Sequence, residues 1–349
     1  MRFLGVVIFL FSLQGWAFEV PYSIALGNSD FTSRTLSYAC FGMTAVIEGL
    51  PCNPAFTAKE RKGQFQAQLF LGHNVSYVRE VKKLLDGDGD PATVEKLFSQ
   101  KSSAEAEGKL QASYLHETWG VQFSPYRFYY YALIRNSSLP VVTLYTGQEQ
   151  MLTAQIASFA GESGRGHWSW GLQLRGVDRR FILSEFTLTD ALASGGSRYF
   201  ETKNQRALYL EPGLLYEFTE NNWKPQVGLT IKNAGLVDTK YEQLSTSPDW
   251  NLAGSVRPPV GSGELELGLD LRFNNYVEEF KDLPHWGFSY KLGAIQGLAS
   301  YADREYSLGF LWHLESWHSG LTFWRKKYQN LLGDEDQLQT IYFEWGLLF

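Results

Sequence analysis

Six histidines, two cysteines and one aspartate-rich loop are the residues of this chain whose types could do chemistry. Hydrolytic chemistry would need one of His73, His116, His167, His285, His313 or His318 beside a nucleophile or a carboxylate. None lies in a recognisable nucleophile motif, and the Gly-x-Ser-x-Gly elbow is absent. Gly161–Gly166 (GESGRG) lacks the strand-to-helix context of a phosphate loop and reads as a turn. Asp86-Gly87-Asp88-Gly89-Asp90 invites a calcium reading. Pro91 stands where the EF-hand glycine belongs, however, and Leu97 where the bidentate glutamate belongs, so the stretch reads as a solvated loop between two short helices. Cys40 and Cys52 form an even pair, a disulfide candidate in an exported chain, two free buried thiols being the other reading. No His or Cys grouping has metal-ligand spacing. The expectation is therefore no catalytic residue, no metal, no cofactor and no enzyme.

The elements that position these residues point elsewhere. Arg2 followed by the apolar run Phe3–Leu13, with small Gly15 and Ala17, reads as a signal peptide cleaved between Ala17 and Phe18. The run is shorter than the roughly 20 residues of a membrane-spanning helix. Losing residues 1–17 removes Arg2 and no other charge, so the chain stays mildly acidic. With no Lys/Arg-rich run, nucleic-acid binding is not expected. Aromatic residues reach 15% and there are 33 glycines, a profile shared by outer-membrane barrels and soluble two-sheet β proteins.

From residue 62 onward a period of two dominates. In Gly263–Asn274, Leu265, Leu267, Leu269, Leu271 and Phe273 take one face against Glu264, Glu266, Gly268, Asp270, Arg272 and Asn274. Residues 305–314 and 167–175 repeat the split, placing Gly309 and Gly171 on the polar face. That face carries charges of both signs: Arg127, Arg135, Arg175, Arg179, Glu211, Glu217, Lys232, Arg257, Glu264, Asp270, Arg272, Lys291 and Glu344. A closed lumen can pair these, whereas a soluble barrel turns its apolar face inward. Trp168, Trp286, Trp317 and Trp345 fall near strand ends, as at membrane interfaces. Connections alternate short (315–316, 294–295, 258–261, 218–223) and long (327–337, 275–284, 235–248, 181–205), with a tight turn at 304 as the exception. Residues 109–160 read as four long strands or more short ones. The expected fold is an all-β, antiparallel transmembrane β-barrel of about fourteen strands, sixteen being possible, over residues 62–349. Residues 18–61 form an N-terminal plug segment, with a short helix over Leu36–Val46 and a turn over Gly49–Pro54. Ile341, Phe343, Trp345, Leu347 and Phe349 make an apolar stripe on the last strand. It is similar to the signal that barrel-assembly machinery reads, which places the protein in the outer membrane of a Gram-negative-type bacterium.

One segment is more specific. Phe41–Ala58 (FGMTAVIEGLPCNPAFTA), through Gly42, Ala45, Asn53, Pro54 and Ala55, resembles the plug signature of the long-chain fatty-acid transporter family, nearest its TraF-like and PorV-like branch. Pro54 holds Asn53 extended, and the Asn53 side chain can bond local backbone. Leu133–Leu144 with Gly171–Arg180, and Val227–Gly235 ending in Asn-Ala-Gly, add vaguer likenesses. The sequence departs from the signature in a short stretch between Gly42 and Asn53 that carries the second cysteine. The resemblance implies passive uptake or binding of hydrophobic small molecules. The competing expectation is a non-transporting barrel that serves as a platform for a secretion or conjugation apparatus. Expected partners are outer-membrane lipids, the barrel-assembly machinery, and a hydrophobic ligand or a secretion-system protein.

Overall fold

Alternating side chains demand an extended backbone, and extended strands crossing a bilayer must close on themselves to satisfy every N–H and C=O. The computed structural model describes residues 31–44, 49–56, 62–72, 104–135, 141–187, 202–237, 248–274, 280–329 and 335–349. A five-residue helix, α1 (Phe31–Thr35), precedes the strands β1 (Lys62–Gly72), β2 (Ala104–Leu115), β3 (Trp119–Arg135), β4 (Val141–Ser163) and β5 (Gly166–Thr187). Then follow β6 (Lys203–Phe218), β7 (Gln226–Lys232), β8 (Gly235–Val237), β9 (Asp249–Val256) and β10 (Glu264–Phe273). The last are β11 (Pro284–Leu292), β12 (Ile295–Ala302), β13 (Glu305–His313), β14 (Trp317–Gln329) and β15 (Glu335–Leu348).

Each strand pairs antiparallel with its neighbours, and β1 closes the sheet on β15 from Gln64↔Leu348 to Gly72↔Thr340. Strands β7 and β8 both pair with β6 and occupy one position in the wall, so the closed barrel has fourteen strands. Between β7 and β8, Asn233 takes a φ of 57°, which interrupts the strand at the Asn-Ala-Gly seen in the sequence. The last ten wall positions fall where the alternation put them. Residues 109–160 are corrected: they belong to three strands, not four, and β1 at Lys62–Gly72 completes the fourteen.

The barrel is inverted relative to a soluble one. Along β10, Glu266, Asp270 and Arg272 are buried, while Leu267 is 39% and Phe273 41% exposed. Along β15, Thr340, Tyr342 and Glu344 are buried, and Ile341, Phe343, Trp345 and Leu347 face outward. Two of the charges assigned to the lumen are not there: Glu264 and Lys291 face each other in the β10–β11 register at a rim and are exposed. The rim that carries Phe349 is joined by short links at 116–118, 164–165, 293–294 and 314–316. At the other rim the sequence between strands runs to 31 residues from Gly72 to Ala104 and 15 from Thr187 to Lys203, while five or fewer separate β3 from β4, β12 from β13 and β14 from β15. Short turns mark the periplasmic rim of such barrels.

This polarity sets an expected result. Leu267→Arg, on the outward face, costs about 2–4 kcal/mol near the bilayer midplane, and Leu269→Arg costs the same. Glu266→Gln keeps the shape of a lumen group and costs much less. Unfolding midpoints in lipid, read by heat-modifiable gel migration, rank the three; a costlier Glu266→Gln overturns the inside-out assignment.

The helix expected over Leu36–Val46 is also corrected. It lies one turn earlier and ends at Thr35, after which Ser37 and Tyr38 take φ of 46° and 61°. The cause is the wall. Backbone groups of 37–44 are shared between local turn bonds, such as the Ala39 amide to the Leu36 carbonyl (2.8 Å), and strand side chains: Arg272 donates to the Ser37 carbonyl and Gln226 to the Gly42 carbonyl (2.9 Å), while the Phe41 amide donates to Asp270 (2.9 Å).

Candidate functional site in the occupied lumen

The described residues of 31–56 lie inside the wall and cross it from the long-loop half to the short-turn rim. α1 stands among β12–β15: Phe31 stacks on Tyr342 with ring centroids 5.2 Å apart, and Thr35 bonds Thr322 (2.6 Å). Arg34 pairs with Glu107 of β2. Burial disfavours the Arg34 cation, yet the Glu107 carboxylate raises its pKa above the ordinary value, so the charge is kept. Further along, the Thr44 amide and hydroxyl donate to Glu266 (2.9 and 3.2 Å), and the Gly49 amide donates to Gln64 (2.9 Å).

Cys40 and Cys52 are joined by a disulfide, twelve positions apart. It ties the half of the segment lying on β9–β11 to the turn lying on β5–β7. Residue Ala45 of the plug motif lies outside the described residues, as do the cleavage pair Ala17 and Phe18, His73, and Asp86, Asp88 and Asp90. The other motif residues meet the wall directly. The Ala55 amide donates to Asn53 Oδ1 (2.9 Å), a local Asx turn. Asn53 Nδ2 donates to the Leu214 carbonyl (3.1 Å), and Gln155 donates to the Pro54 carbonyl (3.1 Å). Gly42 lies on the backbone of Gly254, where a methyl group would stand 2.8 Å from the Gly254 nitrogen.

The seat is made of glycines that were not singled out from the sequence. A Cβ on Gly171 of β5 would lie 2.0 Å from the Pro54 oxygen, and one on Gly213 of β6 2.2 Å from Asn53 Oδ1. Gly268 and Gly287 meet Met43, Gly309 meets Thr35, and Gly320 meets Phe31. The available signal was a glycine on the polar face of a strand, where no bend requires one: the space it leaves is for another chain.

The inward positions of β5 show how the lumen is layered. Gly171 seats the Asn53 turn, Gln173 and Arg175 follow, and beyond them stand Arg179, Phe181 and Leu183. The polar layer is a chain of buried ions across adjacent strands. Arg127 bonds Glu107 (2.8 Å) and Glu149 (2.6 Å), and Arg179 lies 3.6 Å from Glu149. Arg175 and Lys232 share Glu211 (2.7 and 3.0 Å).

On the long-loop side of these ions the inner wall changes character. Tyr129, Tyr145, Phe181 and Leu183 are buried against one another, with Tyr129 and Tyr145 stacked at 4.9 Å and their hydroxyls 3.1 Å apart. Beside them Met151, Val177, Ala207 and Tyr209 form a second inward apolar cluster. Elsewhere in the wall inward positions are mostly polar, so this patch on β3–β6 departs from the rule that makes the barrel.

The histidines do not converge on a site. His318 bonds Glu344 (2.8 Å) and His313 bonds Gln296 (3.1 Å) within the lumen wall, whereas His116 in a link and His167 at the start of β5 stand at the short-turn rim. Among the described residues no group of three His, Cys, Asp or Glu is placed to hold a metal ion. Ile341, Phe343, Trp345 and Leu347 face outward beside β1, and Phe349 exchanges backbone bonds with Gly63 (2.9 Å each way).

No family model matches the sequence, and no curated protein matches it. Among solved structures, CdiB from Acinetobacter baumannii is 9% identical with a TM-score of 0.39, over 84% of this chain and 60% of that one; the chain thus spans under two thirds of CdiB. The P. putida toluene transporter TodX is 10% identical with a TM-score of 0.42, over 90% of this chain and 96% of its own. The CymD monoaromatic hydrocarbon channel is 8% identical, also with a TM-score of 0.42, over 91% and 96%. The fold assignment rests on the closed strand ladder and the inverted polarity, not on these likenesses.

Proposed function

We propose that this protein is an outer-membrane barrel that binds hydrophobic small molecules from the long-loop side and admits them passively past a plug formed by the N-terminal segment 18–61. The observation that carries the reading is the inward apolar patch of Tyr129, Tyr145, Phe181 and Leu183, continued by Met151, Val177 and Tyr209, in a lumen elsewhere lined mostly with polar groups. An apolar molecule gains free energy there by leaving water, and it gains nothing at the Arg127–Glu149 layer below. That layer and the seated plug close the route in the state described. Release requires the plug to shift or the wall to part.

The test is binding of an apolar naphthylamine fluorophore to the purified barrel, with uptake into proteoliposomes as the second readout. The patch side chains are closed on one another, Phe181 being 1% exposed, so a ligand must part them and replace their contacts. Phe181→Ala removes an apolar ring from that contact and is expected to weaken binding by about tenfold. Equal affinity in wild type and Phe181→Ala overturns the assignment of the patch. A barrel that binds no apolar probe but retains a stoichiometric protein partner favours the platform reading instead.

A further inference from the structure

A cylinder is convex outside, yet the lipid-facing surface of β7 and β9–β12 holds a concavity of about 790 Å³. Outward side chains line it: Val227, Leu252, Leu267, Trp286, Phe288 and Tyr301, each 39–60% exposed. Its volume lies within the roughly 300–1,000 Å³ of small-molecule sites.

The dent has its cause in small residues on both faces of the wall. Where inward positions carry Arg or Glu, a thick layer of side chains holds the wall away from whatever fills the barrel. At Gly268 and Gly287, inward positions on adjacent strands, that layer is missing, and on the outward face Gly254 and Ala299 carry little bulk of their own. Met43 sits against Gly268 and the Ala39 carbonyl against Gly287, while Gly42 packs on the backbone of Gly254, whose own absent side chain would point outward between Val227 and Leu269. The hydrogen-bond ladders stay continuous there, so the space that Gly254 and Ala299 leave between larger outward side chains is a groove in the surface and not a hole through the wall.

We propose that this groove is a binding site for one hydrocarbon chain of a bilayer phospholipid. The groove is continuous with the outward apolar belt, whose neighbouring surface on β13 and β14 carries Leu308, Phe310 and Phe323, so it opens to the hydrocarbon and not to water. Lipid tails are as apolar as this lining, so transfer from water contributes nothing. The gain is dispersion, because an unfilled concavity forfeits the contacts that a seated chain makes. The site rests on the membrane-facing polarity of the wall and is independent of what the lumen carries.

The experiment uses the full barrel in phosphatidylethanolamine vesicles doped with phosphatidylcholine bearing a mid-chain diazirine. After photolysis, peptides of β10 and β11 carry several-fold more label than peptides of β13 and β14, although both pairs face the bilayer. Ala299 lines the groove and is half-buried. Ala299→Trp fills it, and labelling of β10 and β11 falls to the level of β13 and β14 while heat-modifiable migration is retained. Equal labelling of the two pairs in the parent protein overturns the proposal without recourse to any variant. Labelling unchanged in an assembled Ala299→Trp barrel overturns it as well.

Discussion

Replacing Arg127 with alanine is expected to destabilise the barrel by about 3–5 kcal/mol, the usual cost of removing one partner from a buried ion pair. Arg127 is fully buried and is the central cation of the layer, bonding Glu107 through Nε and Glu149 through Nη1. Its loss leaves Glu107 to Arg34, on the inner segment, and Glu149 to Arg179 at 3.6 Å. Neither carboxylate can recover water, since both are enclosed. Arg127→Lys keeps the charge but cannot span both carboxylates with a planar fork, so it falls between alanine and wild type. The exposed pair Arg206–Asp178, at 3.2 Å, supplies the contrast: Arg206→Ala changes stability by less than about 1 kcal/mol because water screens both groups. Urea midpoints in lipid measure all three. If Arg127→Ala proved no worse than Arg206→Ala, the ion layer would be ornament rather than structure.

The same layer shows where sequence reading works. Inverted polarity is legible wherever a strand keeps strict alternation, and β10 and β13 were placed to within a residue or two because nothing disturbs their phase. In β3 the register shifts between Ser124 and Arg127, and in β4 between Phe159 and Gly161. The β3 shift changes which face its residues take in mid-strand, so one long strand reads as two and the count over 109–160 comes out wrong; the β4 shift falls at the end of that stretch. At the far end of β5, Phe181, Ile182 and Leu183 are all buried, and a strand covered on both faces shows no alternation to read. The inner segment was the least legible. Its helix is short and its turns follow from Asp270, Arg272 and Gln226 on distant strands, contacts that no local pattern encodes. Asn53-Pro54-Ala55 was visible because its Asx turn is local. The glycines beneath it were visible only as small residues on a polar face, with no indication of what they seat.

Those glycines carry the other large expectation. Gly171→Val should unseat the Asn53-Pro54-Ala55 turn and raise permeability to small apolar dyes well above the wild-type level. The new Cβ would meet the Pro54 carbonyl oxygen at 2.0 Å, its carbon at 2.2 Å and the Ala55 nitrogen at 2.6 Å. All three are backbone atoms, so no side chain can swing aside, and the turn itself must move. With it go the bonds from Asn53 to Leu214 and from Gln155 to Pro54. The wall keeps its ladder, which uses no side chain, and valine suits a strand better than glycine does. Heat-modifiable migration should therefore survive while flux rises. The disulfide supplies a graded companion. Cys40→Ser with Cys52→Ser removes a tie worth about 3 kcal/mol in the chain-entropy model for a loop of this size. The segment then loses its internal link but keeps its seats: Asp270 still accepts from Phe41, Gln226 still donates to Gly42, and the glycines still leave their space. Flux in the double serine variant should thus exceed wild type and fall short of Gly171→Val. An assembled Gly171→Val barrel as tight as wild type would show that the seated turn does not close the route. A double serine variant leakier than Gly171→Val would move the closure from the glycine seat to the bridge.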